Sequence, residues 1–218
     1  MKSKTFKLKL FISILFLCQI SSFAQIKAIT DTGDEVLLFN DKTWKFKSEK
    51  NVWIQKSTNY FSKGSNSTFL VKSKINGFGV YINPKSFEFK RDAKNSDNEF
   101  DFTNRKKTTY GFMINEGIEL PLSTLREFKI NSLKEKVTSL DILDDEYRIV
   151  NGINISYLRI RAVTKDTGET PLIFCMYFAT AKSSTTQLIS WTSETNFNKS
   201  SNEIFELLNG ISKLDIEQ

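Results

Sequence analysis

The 218-residue chain contains no histidine, which excludes several kinds of catalysis. Neither a Ser-His-Asp triad nor a Cys-His pair can form, and no imidazole can act as a general base. Zinc binding is also disfavoured, because a lone Cys175 beside carboxylates makes a poor zinc site. Cys175 lies in the run 172–179, which is apolar at every position. We therefore expect a buried and unreactive thiol.

Carboxylates are the remaining groups with catalytic or metal-binding potential. A calcium loop needs oxygen ligands at alternating positions around a glycine. The densest acidic cluster lacks both features, so we predict a solvated turn between strands at Asp141, Asp144, Asp145 and Glu146. Two carboxylates facing each other across a cleft would suit glycoside hydrolysis. The candidates for such a pair are Glu88, Glu116, Glu119 and Glu127.

The strongest basic cluster is Arg105-Lys106-Lys107. Such a cluster either contacts an acidic partner or anionic lipid headgroups, or forms a solvated charged loop. Nearby, Phe100 and Phe102 lie among polar residues and are candidate partner contacts. The sequence has no phosphate-binding loop and no dinucleotide fingerprint, so we predict no cofactor.

The first 24 residues have the three-part plan of a secretory signal peptide. A lysine-rich start precedes the apolar run 10–18, and Ser22 and Ala24 stand at positions −3 and −1 of a cut before Gln25. That run is much shorter than the roughly 20 residues of a membrane span. A lipid anchor is disfavoured because Cys18 follows Leu17 and not a small residue. We therefore expect an exported protein, periplasmic or secreted, without a transmembrane anchor.

Removal of this signal changes the charge and the cysteine count. The whole chain has 31 basic and 25 acidic residues, a net charge of +6. Four of the lysines lie in the first 24 residues, and no acid does, so the remainder has 27 basic against 25 acidic residues. This near balance argues against a nucleic-acid partner. Loss of Cys18 would leave Cys175 alone, without an intramolecular disulfide.

The exported part divides into a small β-meander (25–55), a polar linker (56–67) and an α+β domain (68–218). The meander is predicted from strands at 26–30, 36–39 and 43–46, and 52–54 is a candidate further strand. The linker prediction rests on a composition rich in Ser, Asn, Lys and Gly. In the α+β domain we predict early strands at 69–73, 78–82, 87–90 and 108–114, with an exposed loop at 91–98.

The second half of that domain carries clearer signals. A helix over 124–136 is predicted to start with a capping box of Thr124 and Glu127, and a second helix with a capping box of Ser200 and Glu203. Gly210 is predicted to end the second helix. Asn-Gly at 151–152 predicts a type I′ hairpin turn. The apolar alternation changes parity near 157–158, which indicates a β-bulge. A central strand at 172–179 and a last strand at 187–192 complete the predicted sheet.

This order of elements resembles the PsbP-like superfamily over residues 68–212. The resemblance rests on the segments Phe78-Gly79-Val80-Tyr81-Ile82-Asn83-Pro84, Val150-Asn151-Gly152-Ile153 and Leu207-Leu208-Asn209-Gly210-Ile211. It implies an antiparallel sheet flanked by helices, an α/β/α sandwich, and binding, assembly or accessory roles more often than catalysis. The histidine-containing ion sites of photosynthetic members cannot carry over to this chain. The segment 28–46 is similar to a "DGTW" segment of secreted bacterial proteins, with Lys42 in place of its glycine.

The leading hypothesis is therefore a non-catalytic exported protein that binds a protein partner in the cell envelope. One alternative is a carboxylate-dependent hydrolase of envelope glycans, which needs two acids facing each other in a cleft. The other is a carrier of a small ligand or lipid, which needs an apolar cavity. The oligomeric state stays open.

Overall fold

The structure is a computed structural model that describes residues 26–29, 35–38, 44–46, 55–91, 98–165, 168 and 170–214. The chain divides into two compact units, Met1–Asn51 and Val52–Gln218. The predicted signal peptide, with its cleavage between Ala24 and Gln25, lies outside the described residues. Two further predicted segments also lie outside the described residues, namely the candidate strand at 52–54 and residues 92–97 of the predicted loop.

Unit 1 contains the predicted β-meander. Its strands are β1 (Ile26–Ile29), β2 (Glu35–Leu38) and β3 (Trp44–Phe46). They form one antiparallel sheet in the order β1-β2-β3. Strands this short offer few apolar side chains on either face. Among the side chains described in unit 1, Val36 is the one that is buried.

In the residues that the structure describes, unit 2 contains two sheets and two helices. The elements are β4 (Gln55–Phe61), β5 (Phe69–Lys72), β6 (Phe78–Ile82), β7 (Phe87–Arg91), β8 (Phe100–Asn104), β9 (Tyr110–Glu116), α1 (Leu122–Lys136), β10 (Val137–Val150), β11 (Ile153–Thr164), β12 (Leu172–Ala181), β13 (Ser184–Ser193), α2 (Glu194–Leu208) and β14 (Ile211–Lys213). The larger sheet has the order β4-β10-β11-β12-β13-β9-β8-β7, and the smaller sheet has the order β14-β6-β5. Neighbouring strands pair antiparallel, except that β4 runs parallel to β10. The predicted α+β class is thus confirmed.

The two faces of the larger sheet bury separate cores. On the α1 face, α1 packs on β10, β11 and β12, and the core includes Leu158 and Ile160. On the α2 face, α2 and the smaller sheet pack on a core that includes Ile155 and Tyr157. In the described part of the chain, neither helix is long and apolar enough to cross a membrane.

Burial on both faces explains why the bulge predicted in β11 is wrong. Pairing of β11 with β12 continues without a shift from Ile155 to Ala162. Apolar residues occur at both odd and even positions of β11, because each set of positions faces one of the two cores. The register irregularities instead lie in β10, between Val137 and Ser139 and between Ile142 and Asp144.

The predictions of both capping boxes are also wrong. α1 begins directly after Pro121, two residues before the predicted start, and α2 begins at Glu194, six residues before Ser200. Neither helix has a side-chain hydrogen bond at its N-cap. Glu194 instead accepts two hydrogen bonds from Arg161 on β11, of 2.8 and 3.2 Å, which holds the first turn of α2 against the sheet.

Three further segments differ from the sequence-based predictions. The part of the predicted linker up to Phe61 is strand β4, because polar residues are tolerated on an edge strand. Strand β8 was not predicted. The acidic cluster at 141–146 is not a turn but part of β10, and arginines neutralise its carboxylates. The ion pairs are Asp141–Arg161, Asp144–Arg159, Asp145–Arg126 and Glu146–Arg148.

Candidate binding surface

The basic cluster forms the turn between β8 and β9, and two of its three charges are paired. Arg105 lies 3.0 Å from Glu88, and Lys106 lies 3.1 Å from Glu203 on α2. Both cations are more than half exposed. Surface pairs of this kind are weak, so they lower the local charge without fixing the side chains strongly.

Phe100 and Phe102 are not surface contacts. They are 2% and 1% exposed and belong to the core on the α2 face. The sequence contained the signal, because Phe100 and Phe102 alternate with Asp101 and Thr103 in the period of two that a half-buried strand requires. The prediction that they lie accessible among polar residues is therefore wrong.

Lys107 differs from its two neighbours in conformation and surroundings. Its backbone is left-handed, with φ of 56°, and Asn104 maintains the turn by accepting hydrogen bonds from the N–H groups of Thr108 and Thr109. The Lys107 carbonyl accepts a 2.7 Å hydrogen bond from the hydroxyl of Tyr110. In the part of the chain that the structure describes, the Lys107 ammonium forms no ion pair.

Lys107 borders a groove of about 210 Å³, which we call the Trp191 groove. Tyr110 and Trp191 contribute its aromatic surface, and Thr192, Ser193 and Asn196 contribute hydroxyl and amide groups. Ser193 and Asn196 lie at the start of α2, where backbone N–H groups lack intrahelical partners. The groove thus joins an apolar surface to hydrogen-bonding groups and one ammonium.

The aromatic surface continues across three strands of the sheet. Phe174 on β12 is opposite Trp191 on β13, and Trp191 is opposite Tyr110 on β9. Both ring pairs are stacked at 27°, with centroids 6.2 and 5.9 Å apart, and Phe112 meets Trp191 edge-on at 5.7 Å. Direct cross-strand neighbours bring such rings together. We call these four residues the aromatic row.

The aromatic row packs against the core on the α1 face and remains partly exposed. Tyr110 is 38% exposed, and the other three rings are partly exposed. On the same face of the sheet, Thr103 and Asp101 of β8 are half-buried and Glu88 of β7 is exposed. An apolar strip with a polar rim is the arrangement found in protein recognition sites.

Among the residues that the structure describes, no two carboxylates face each other across a cleft as hydrolysis would require. Glu203 and Glu206 border a second groove, but both belong to α2 and so share one wall. Burial opposes ionisation of Glu203, yet hydrogen bonds from Asn104 and Lys106 outweigh it and lower the pKa of this carboxyl. A general acid needs a raised pKa. The sequence-derived candidates lie on β7, β9, the following loop and α1, and among them Glu88 is engaged by Arg105.

Cys175 is fully buried, as predicted. Burial raises its pKa to about 11, although the Tyr157 hydroxyl, 3.8 Å from Sγ, acts in the opposite direction. A thiol that stays protonated at neutral pH is a poor nucleophile.

Unit 2 is therefore an α+β sandwich in which a mixed, largely antiparallel sheet carries one helix on one face and a helix with a small sheet on the other. A solved structure with this architecture is the cyanobacterial PsbP (CyanoP) from Synechocystis sp. PCC 6803. It matches with a TM-score of 0.50 at 12% identity, over 69% of this chain and 94% of that one. The chain thus has the PsbP-like fold, which confirms the resemblance seen in the sequence.

Other solved structures match less closely. The Ran-binding protein Mog1p of Saccharomyces cerevisiae has a TM-score of 0.47 at 9% identity, over 67% of this chain and 95% of that one. A protein of unknown function from Pseudomonas aeruginosa, described as a putative regulator, has a TM-score of 0.38 at 6% identity, over 62% of this chain and 89% of that one. No family model and no curated protein sequence matches the chain.

Proposed function

We propose that the protein is a non-catalytic, exported binding protein that attaches to a protein partner in the cell envelope through the Trp191 groove and the aromatic row. The observation that carries this proposal is the stacked, partly exposed row of Phe174, Trp191 and Tyr110 beside Lys107. Aromatic anchors of this type supply much of the energy at protein interfaces. They lose little conformational entropy on binding when strand neighbours already hold them.

The groove also indicates the chemistry of the partner. An apolar or aromatic side chain of the partner would cover Trp191, and a nearby carboxylate would meet Lys107. Thr192 and Asn196 at the rim would donate or accept hydrogen bonds from the partner's backbone. The envelope location rests on the signal-like residues 1–24.

The test uses the full chain, with a C-terminal tag, produced in its own cells and used to capture proteins from detergent-solubilised envelopes. Three variants are compared with the wild type. Tyr110→Ala removes an exposed ring of the row, and Lys107→Asp reverses the charge while keeping a residue type that tolerates a positive φ. Phe69→Ala is the matched control, because Phe69 is an exposed aromatic residue of the smaller sheet, away from the groove.

We expect one stoichiometric partner to be retained by the wild type and by Phe69→Ala. Both groove variants should lose at least about tenfold in affinity, as expected for an interface hot spot. The mass of the recovered wild-type bait should correspond to a chain that begins at Gln25. Equal retention by all variants, or capture of no partner, would refute the proposed binding surface. A bait that keeps its first 24 residues would refute export by signal cleavage.

A further inference from the structure

A second groove lies on the other side of the basic turn, between α2 and the loop that follows β4. Its volume is about 410 Å³, and it is larger than the Trp191 groove. Ser62 and Gly64 of the loop border it on one side. On the other side it is bordered by Phe205 and two carboxylates, Glu203 and Glu206. We call it the Glu206 groove.

Two buried asparagines hold these carboxylates in place. Asn104 donates a 2.7 Å hydrogen bond to Oε2 of Glu203, and Asn83 donates a 3.1 Å hydrogen bond to Oε1 of Glu206. Asn104 and Asn83 are 2% and 9% exposed. A neutral amide fixes the position of a carboxylate but does not cancel its charge. The groove therefore presents two oriented negative charges one helical turn apart.

A separate observation concerns Ser67, whose hydroxyl lies next to Gly64 at the edge of this groove. Ser67 is completely buried, and its hydroxyl has no hydrogen-bond partner among the described residues. Its Oγ faces the space over Gly64 that Glu206 also borders. Both Oγ of Ser67 and Oε1 of Glu206 lie 3.6 Å from the point where a side chain on residue 64 would begin. Buried hydroxyls without partners are uncommon and call for an explanation.

We propose that the Glu206 groove binds an arginine side chain from a segment of a protein partner. A guanidinium has five N–H donors in a planar fork, which suits the two carboxylates, and a shift of Gly64 would give it the buried Ser67 hydroxyl as a further acceptor. Its flat face can also stack on an aromatic ring, and Phe205 supplies one at the groove. A metal ion fits less well, because the described residues contain no group of three metal-binding side chains.

Lys106 is a displaceable cation at this site. Its ammonium lies 3.1 Å from Oε1 of Glu203, and its side chain is 75% exposed. Such a pair contributes little to stability, so an incoming guanidinium can replace it at small cost. The site is distinct from the surface assigned to the proposed function, and the two can be tested separately.

The test measures binding of three fluorescein-labelled peptides to the full chain by fluorescence polarisation at low salt. The peptides are seven-residue Gly/Ser sequences with arginine, lysine or citrulline at the centre. Citrulline is a neutral residue with nearly the shape of arginine, so it isolates the role of charge. We expect the arginine peptide to bind more tightly than the lysine peptide, and the citrulline peptide at least about tenfold more weakly than arginine.

Four variants locate the binding site. Glu206→Gln should weaken arginine-peptide binding about tenfold, because it removes a charge-assisted hydrogen bond. Gly64→Leu should abolish it by filling the groove. The backbone of Gly64 is not left-handed, and the first side-chain atom there meets only ordinary contacts. Lys106→Asn should strengthen binding severalfold by freeing Glu203. Lys107→Asn is the matched control, since it removes a neighbouring charge that has no carboxylate partner among the described residues.

Circular dichroism and thermal unfolding of each variant show whether it is folded. The proposal is overturned if folded Glu206→Gln binds the arginine peptide as the wild type does, or if the citrulline peptide binds equally well. It is also overturned if the two lysine variants strengthen binding to the same extent, because that result indicates general charge attraction. Tyr110→Ala should leave peptide binding unchanged, which separates this site from the Trp191 groove.

Discussion

Arg148 is a charged residue held among aromatic rings at the end of β10. Its guanidinium lies 3.5 Å from the ring centre of Tyr157, 4.8 Å from that of Phe61 and 5.5 Å from that of Phe205. Burial by itself would lower the pKa of Arg148, but contacts with Tyr177 and Glu146 outweigh it and raise that pKa. Arg148 stays charged there because its guanidinium donates hydrogen bonds to Glu146 and Tyr177 and lies close to aromatic rings.

Three other ionisable side chains of this region, Cys175, Tyr177 and Tyr157, are held neutral. Burial raises the pKa of Cys175 to about 11 and that of Tyr177 to about 12. Burial also raises the pKa of Tyr157. In each case the neutral form fits the core on the α2 face and the ionised form does not.

These shifts predict a loss of stability at alkaline pH. Cys175 has an ordinary pKa of 9.0, so above pH 9 the unfolded chain loses a proton that the folded chain retains up to about pH 11. The free energy of unfolding should therefore fall by about 1.4 kcal/mol per pH unit for this group within that window. Urea unfolding under reducing conditions between pH 8 and 10 measures the slope.

The variant Cys175→Ala separates this contribution from that of other groups. It should be less stable than the wild type at pH 8 because it leaves a small cavity, but its stability should fall less steeply between pH 9 and 10. Parallel curves for the two proteins would show that the thiol does not contribute to the alkaline slope.

At the scale of elements, Gly210 connects α2 to β14 and lets the backbone lie close to β6, the neighbour of β14 in the smaller sheet. The N–H of Tyr81 donates a 2.8 Å hydrogen bond to the carbonyl of Gly210. A side chain on residue 210 would collide with the carbonyl oxygen of Tyr81. The glycine is therefore required by close backbone approach, and not by a positive φ. This differs from the helix-ending role predicted from the sequence alone.

We expect Gly210→Ala to destabilise the protein by roughly 3 kcal/mol, since the backbone must move to relieve the collision. Gly117→Ala is the control, because a side chain there meets no atom within 4 Å, and its effect should stay within about 0.5 kcal/mol. Urea unfolding measures both variants. Comparable stabilities for the two would contradict the proposed role of Gly210.

Local signals in the sequence predicted the structure correctly where a residue type has a single physical role. Asn151 and Gly152 have φ of 49° and 78°, which fits the predicted type I′ turn. Ile204, Leu207 and Leu208 form the buried face of α2, at the spacing typical of one face of a helix. The capping boxes failed because each motif fell inside a helix that tertiary contacts start earlier, such as that of Glu194 with Arg161.

Only part of the candidate surface could be predicted from the sequence. Lys107 was identified from its charge, but the aromatic row was not. Its members Tyr110, Phe174 and Trp191 are far apart in the sequence and meet only through the register of β9, β13 and β12. No window along a single chain contains that information, whereas the alternation of Phe100 and Phe102 was present and was misinterpreted.

At the scale of the molecule, strand β4 decides where unit 2 begins. The sequence placed a linker at 56–67, but β4 pairs with the second half of β10. At its end, Phe61 accepts a 3.0 Å hydrogen bond from the N–H of Asn151, and its ring contacts Arg148. The larger sheet is therefore incomplete without residues that the composition assigned to a linker.

Two truncated chains test this boundary. A chain starting at Val52 keeps the whole of unit 2 and should unfold in one cooperative transition. A chain starting at residue 68, the domain start predicted from the sequence, loses Phe61 and leaves β10 with an unpaired edge. We expect it to be less stable by roughly 3 kcal/mol or more, the usual cost of deleting a packed phenylalanine side chain. Urea unfolding of both chains gives the comparison. Equal stability would mean that β4 is not an integral strand and that the compositional boundary was right.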